Sequence, residues 1–228
     1  MIRSLVSLTC LAGVALACQG NAPPAPASGA TGKLSGKYKA RATNPGGAGS
    51  YTAEVTIERD NAYYSLNWRV GKERSYRGAG IELPGYLAAG WGIEQHYVFV
   101  YELTGNRLLG RWAHQASGGK LSSEVLEGPP GLNGNYAIVE GYDAPGSKHY
   151  DGSVSIAPNG AVYRFQHRRS GGETLAGIAL KKGKWLIVGA APGGAAGVMV
   201  YTLSGPALNG QWAQPTSNML GTEYLSKL

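Results

Sequence analysis

Val98-Phe99-Val100-Tyr101-Glu102-Leu103-Thr104-Gly105-Asn106-Arg107-Leu108-Leu109-Gly110-Arg111-Trp112-Ala113 is written a second time further along the chain. The copy reads Val198-Met199-Val200-Tyr201-Thr202-Leu203-Ser204-Gly205-Pro206-Ala207-Leu208-Asn209-Gly210-Gln211-Trp212-Ala213. Nine of the sixteen positions are identical without a gap. Each copy reads as a strand, a turn at glycine, and a second strand carrying Gly-x-Trp.

The similarity runs outward from there over nearly the whole body. Leu34-x-Gly36-x-Tyr38 returns as Leu132-x-Gly134-x-Tyr136, and Tyr51, Val55, Ile57 and Tyr64 as Tyr150, Val154, Ile156 and Tyr163. Gly78, Leu87 and Gly90 match Gly177, Leu186 and Gly189, and Glu124-Val125-Leu126 matches Glu223-Tyr224-Leu225. The joint Glu127-Gly128-Pro129-Pro130-Gly131 cannot continue a strand. It separates one unit at 34–127 from a second at 132–228.

Strict alternation marks the strands. Glu54-Val55-Thr56-Ile57-Glu58 has apolar residues on one face and charges on the other; Tyr64, Leu66 and Trp68 do the same opposite Ser65, Asn67 and Arg69. Asp60-Asn61 and Asn159-Gly160 supply turns. Further strands are expected near 36–42, 74–82, 86–91, 96–103, 107–113 and 122–126, about eight short ones per unit, with no long segment of helical period. A meander of this kind hides its edges by closing. The fold class is therefore all-β, with two tandem antiparallel meander barrels packed together; one larger barrel or sandwich made of two halves is the alternative. Val98 and Val100 lie opposite Phe99, Tyr101 and Leu103, so this strand is apolar on both faces. The copy has Val198 and Val200 against Met199, Tyr201 and Leu203. Cover on both faces is expected, at the contact between units.

Trp112 and Trp212 share a face with Leu108 and Leu208. Each serves either as a ligand platform or as a core plug, and large aromatics inside small barrels are usually core. Glu124 and Glu223 recur at the end of each unit with no second carboxylate beside them, which fits a hydrogen-bonding role to a Tyr or Arg rather than acid catalysis. Tyr101 and Tyr201 recur as structural positions. His167 replaces Trp68 at an inward place, where it marks a pocket in one unit, pairs with Glu223, or is a satisfied core histidine. Ligand-binding candidates are therefore Trp68, Trp112, His167 and Trp212. No catalytic or cofactor motif is found, and His96, His114 and His149 lack a second ligand at metal spacing.

Residues 1–17 have the parts of a secretory signal: Arg3, then an apolar run from Leu5 to Leu16 that is too short to span a bilayer. Ala15-Leu16-Ala17-Cys18 fits ordinary cleavage and also resembles the bacterial lipobox, in which the cysteine is the lipidated first residue. Cys10 leaves with the signal, so Cys18 is the mature chain's one cysteine and no internal disulfide can form. With Gln19 following, the lipoprotein resemblance implies an outer-membrane anchor, facing the periplasm or the surface. Residues 18–33 read as a polar, Pro-containing linker. Losing Arg3 lowers the net charge from +7 to +6. This favours anionic partners such as acidic proteins or glycans, and the scattered basic residues exclude a nucleic-acid footprint.

The pattern Tyr-x-x-x-Val-x-Ile, Tyr-x-x-x-Trp, Val-x-Val-Tyr-x-Leu-x-Gly, Leu-x-Gly-x-Trp and Glu-x-Leu resembles a group of exported bacterial tandem-repeat β proteins, some labelled fibronectin-binding. More distantly the chain is similar to lipocalin and avidin barrels. Its Gly-x-Trp falls late in each unit, so no lipocalin ligand residue carries over. Three functions are expected in descending order. The first is a non-enzymatic envelope lipoprotein that binds a macromolecule, either host matrix protein or envelope polymer. The second is a carrier of small apolar ligands in a barrel lumen, and the third an inhibitor of a lytic enzyme or protease. The oligomeric state stays open. Positions where the copies differ, Trp68 against His167 and Trp91 against Ala190, are where function is expected.

Overall fold

The computed structural model describes residues 33–144 and 149–228. The signal segment 1–17, Cys18 and the linker up to residue 32 lie outside the described residues. No helix among the described residues is long and apolar enough to cross a membrane.

Sixteen strands follow one another: β1 Gly36–Thr43, β2 Ser50–Asp60, β3 Tyr63–Val70, β4 Arg74–Leu83, β5 Tyr86–Gly92, β6 Tyr97–Thr104, β7 Arg107–His114 and β8 Ser122–Glu127; then β9 Gly134–Tyr142, β10 Gly152–Asn159, β11 Val162–Arg169, β12 Thr174–Lys182, β13 Trp185–Ala191, β14 Gly197–Ser204, β15 Ala207–Ala213 and β16 Gly221–Lys227. Single 3-10 turns occupy Pro45–Gly47 and Pro192–Gly194. All pairings are antiparallel, and the strands close into two eight-stranded barrels.

The barrel boundaries are not the repeat boundaries. The second barrel is the contiguous run β6 to β13, closed by β13 on β6. The first barrel is β1 to β5 completed by β14 to β16, closed by β16 on β1. One barrel is thus inserted into the β5–β14 hairpin of the other, and each takes five strands from one repeat and three from the other. The expectation that 34–127 and 132–228 close separately is corrected.

Side-chain volume explains the exchange. Trp91 on β5 lies opposite Gly197 on β14, and a Cβ added at Gly197 would stand 2.3 Å from the Trp91 ring. In the other barrel the sizes are reversed, with Ala190 on β13 opposite Tyr97 on β6. Separate closure of the repeats would set Trp91 against Tyr97 and Ala190 against Gly197, overfilling one barrel and leaving a void in the other.

The chain passes between barrels twice, through Ile93–His96 and through Pro192–Ala196. Backbone comes very close at both passages: a Cβ on Gly90 would lie 2.1 Å from the Tyr97 carbonyl oxygen, and one on Gly189 1.9 Å from that of Gly197. Only glycine fits there.

Three apolar clusters follow from the alternation. Phe99, Tyr101, Trp112 and Phe165 belong to the lumen of the second barrel, and Met199, Tyr201, Trp68 and Trp212 to that of the first. Val98, Val100, Ile178 and Ile187 meet Ile81, Ala88, Val198 and Val200 in a third cluster between the barrels. The doubled strand is therefore covered on both faces, by its own lumen and by the neighbouring barrel.

Candidate functional site

Among the described residues, each lumen holds one buried carboxylate at the equivalent place. On β8, Glu124 accepts hydrogen bonds from the hydroxyls of Tyr101 and Tyr150 (2.7 Å for Tyr150) and faces His167 Nε2 at 3.0 Å. On β16, Glu223 accepts from Tyr201, from Tyr51 at 2.9 Å and from Trp68 Nε1 at 3.0 Å. The recurring Tyr101, Tyr201, Glu124 and Glu223 thus tie strands together inside each barrel. His167 pairs with Glu124 and not with Glu223, because the exchange brings β8 and β11 into one barrel. Its Nδ1 is buried without a hydrogen-bond partner among the described residues.

The single difference of Trp68 for His167 divides the electrostatics. Burial pushes the Glu223 carboxyl up, and the hydrogen bonds from Tyr201, Trp68 and Tyr51 recover only part of that, so its pKa stays above the ordinary value. Burial pushes Glu124 up too, but the His167 hydrogen bond and charge, with the two tyrosines, outweigh it and hold the pKa below the ordinary value.

The mouths of the two barrels differ more. In the second, Arg169 sits 3.8 Å from the Tyr150 ring centroid and 5.1 Å from that of Trp112, and pairs with Asp143 at 2.9 Å and Glu173 at 3.2 Å. Trp112 Nε1 donates to the Tyr150 hydroxyl at 2.9 Å. Below them Phe99 packs on Trp112, Phe165 and His167 at 5.4–5.6 Å. Trp112 and His167 are core of this barrel, and the Arg169 cluster caps it.

The first barrel has Val70 where the second has Arg169, and Arg74 where it has Glu173. No cap can form, and a cavity of about 350 Å³ opens at the mouth, lined by Tyr51, Trp68, Val70, Arg74, Tyr76, Trp91, Met199 and Trp212 with Asn44, Ser50 and Gln214. Its rings stand steeply to one another: Tyr76 to Trp91 at 5.2 Å and 78°, Trp91 to Trp212 at 5.9 Å and 69°, Tyr51 to Trp212 at 6.2 Å and 72°. Its lining is mixed, with the aromatic rings beside the polar groups of Asn44, Ser50, Arg74 and Gln214, in a concave setting of the kind that small-molecule sites use.

Of the four ligand candidates, the structure brings Trp68 and Trp212 together here and assigns Trp112 and His167 to the filled barrel. Trp91 stands beside them, at one of the two positions where the copies were seen to differ. Tyr51, Tyr76 and Arg74 were missed as lining. Tyr76 against Leu175, and Arg74 against Glu173, are further differences between the repeats that could have found two of them. Among the described residues no cluster of His, Cys, Asp and Glu is placed to hold a metal ion. The chain matches no protein-family model, no curated protein and no solved structure.

Proposed function

We propose that this chain is a non-enzymatic binding protein of the cell envelope that takes a small molecule at the mouth of the first barrel, while the second barrel is a filled structural partner. The observation that carries this reading is the contrast between two pseudo-equivalent lumens, one capped by Arg169 and packed, the other open and walled by Trp68, Trp91 and Trp212. Structural need alone would fill both. The small-ligand reading is preferred to a macromolecular surface because the large exposed apolar side chains, such as Ile93, Tyr142, Met219 and Leu228, come from separate elements, whereas the aromatic residues converge. The envelope address rests on the signal-like segment and on Cys18 as an acyl acceptor.

Transplanting the cap tests the reading. Val70→Arg with Arg74→Glu copies the second barrel's closure onto the first. Titration of the parent with small apolar ligands should change its tryptophan fluorescence, and the double variant should bind more than about tenfold more weakly, a loss of about 1.4 kcal/mol. Equal binding by a folded double variant would place the ligand elsewhere.

A further inference from the structure

The walls of the open cavity indicate which chemistry it takes. The rings pack edge to face on one another at 69–78°, so they leave no flat slot between parallel rings, and the wall is built of aromatic groups in several orientations. Aromatic faces carry the negative part of the ring quadrupole and attract cations, methylated ammonium groups above all. Directly behind the wall lies Glu223, buried and accepting from Tyr51 and Trp68, two of the lining residues. Its carboxylate adds negative potential where a positive head would sit, and these hydrogen bonds push electron density into both rings. Across the repeat the aromatic box is dismantled: Leu175 stands for Tyr76 and Ala190 for Trp91.

The rim carries the opposite sign. Arg74 is exposed, lines the cavity, and has no ion-pair partner among the described residues. It lies two residues before Tyr76 on β4, a step of about 7 Å along the strand. A cavity of about 350 Å³ has room for a methylated head, a short spacer and an anionic group reaching Arg74.

Resting on the small-ligand reading above, we infer that the first barrel binds a zwitterion whose methylated ammonium head sits in the box of Tyr51, Tyr76, Trp91 and Trp212 and whose carboxylate or phosphate meets Arg74. The free solute and a phosphocholine lipid headgroup share this chemistry.

Glycine betaine and phosphocholine are titrated into the mature chain carrying Cys18→Ser, so that no acyl chain contributes, alongside tert-butylacetate, which has the shape of betaine without its positive charge. Betaine or phosphocholine should bind at least about tenfold more tightly than the isostere. Trp91→Leu, which keeps bulk opposite Gly197 but removes the aromatic face, should erase the preference. Arg74→Gln should weaken the zwitterions but leave tetramethylammonium binding unchanged. Sedimentation with phosphatidylcholine but not phosphatidylglycerol vesicles would identify the lipid headgroup as the source, and betaine binding without sedimentation the free solute. If the isostere and other apolar probes bind as well as the charged ones, the cationic specificity is overturned while the pocket stands. If no probe of either kind binds, both readings fall.

Discussion

Glu124 and Glu223 occupy equivalent places, yet their environments oppose each other. Glu124 has a histidine to pair with; Glu223 has a tryptophan N–H and two hydroxyls. The folded-state pKa of Glu124 lies below the ordinary value, so its stabilisation is present above a pH of about 4.5 and is lost as pH falls through the lowered value. The folded-state pKa of Glu223 lies above the ordinary value, so stability falls as pH rises from about 4.5 through the raised value. Denaturant unfolding at pH 7 should show Glu124→Gln destabilising by about 3 kcal/mol, since His167 loses its buried partner. Glu223→Gln should be neutral or stabilising at pH 7, and its advantage over the parent should vanish near pH 4. The hydrogen-bonding of these carboxylates to tyrosine was legible in the repeat, because recurrence marked both positions. Their separate partners were not, because a one-dimensional repeat does not say which β8 or β16 faces which lumen.

At the scale of the strand, alternation and turn chemistry read closely. Expected strands at 36–42, 74–82, 86–91 and 107–113 become Gly36–Thr43, Arg74–Leu83, Tyr86–Gly92 and Arg107–His114. Apolar residues on both faces of the doubled strand correctly pointed to the contact between barrels. What alternation did not convey was the purpose of particular glycines. Gly90 and Gly189 recur because the chain crosses between barrels beside them, not because they turn. Alanine at either should cost more than about 2 kcal/mol in thermal or denaturant unfolding, since the obstructing atoms are backbone carbonyls that cannot rotate away. Gly105→Ala is the control: its φ of +63° brings a cost of about 1 kcal/mol, with nothing within 4 Å for the new methyl to strike. Equal losses at all three would mean that the crossing is not tightly packed.

For the whole molecule, two eight-stranded closures were read from the strand count, and their nesting was not. Both arrangements satisfy the alternation and turn signals, because β6 and β14 share one inward and outward pattern and differ beside β5 only in side-chain volume. The choice lies in Trp91 with Gly197 and Tyr97 with Ala190, pairs whose members lie roughly a hundred residues apart. Cleavage in the loop Gly128–Gly131 therefore divides both barrels and separates neither. The nicked protein should elute as one species in size exclusion and come apart only in the denaturant that unfolds it. Two pieces separating under native conditions would restore closure within each repeat.

The nesting also bears on the gene. Unequal recombination between the two related segments, joining residue 96 to residue 197, removes one hundred codons. The product keeps β1 to β5 and β14 to β16 in order, which is the whole of the open barrel, with Ile93–His96 left as a hairpin loop. A single crossover thus yields a one-barrel protein with its cavity intact and the strip of Ile81, Ala88, Val198 and Val200 laid bare. Such a deletion product should keep the cavity and, with this strip exposed, should aggregate in size exclusion at concentrations where the parent does not.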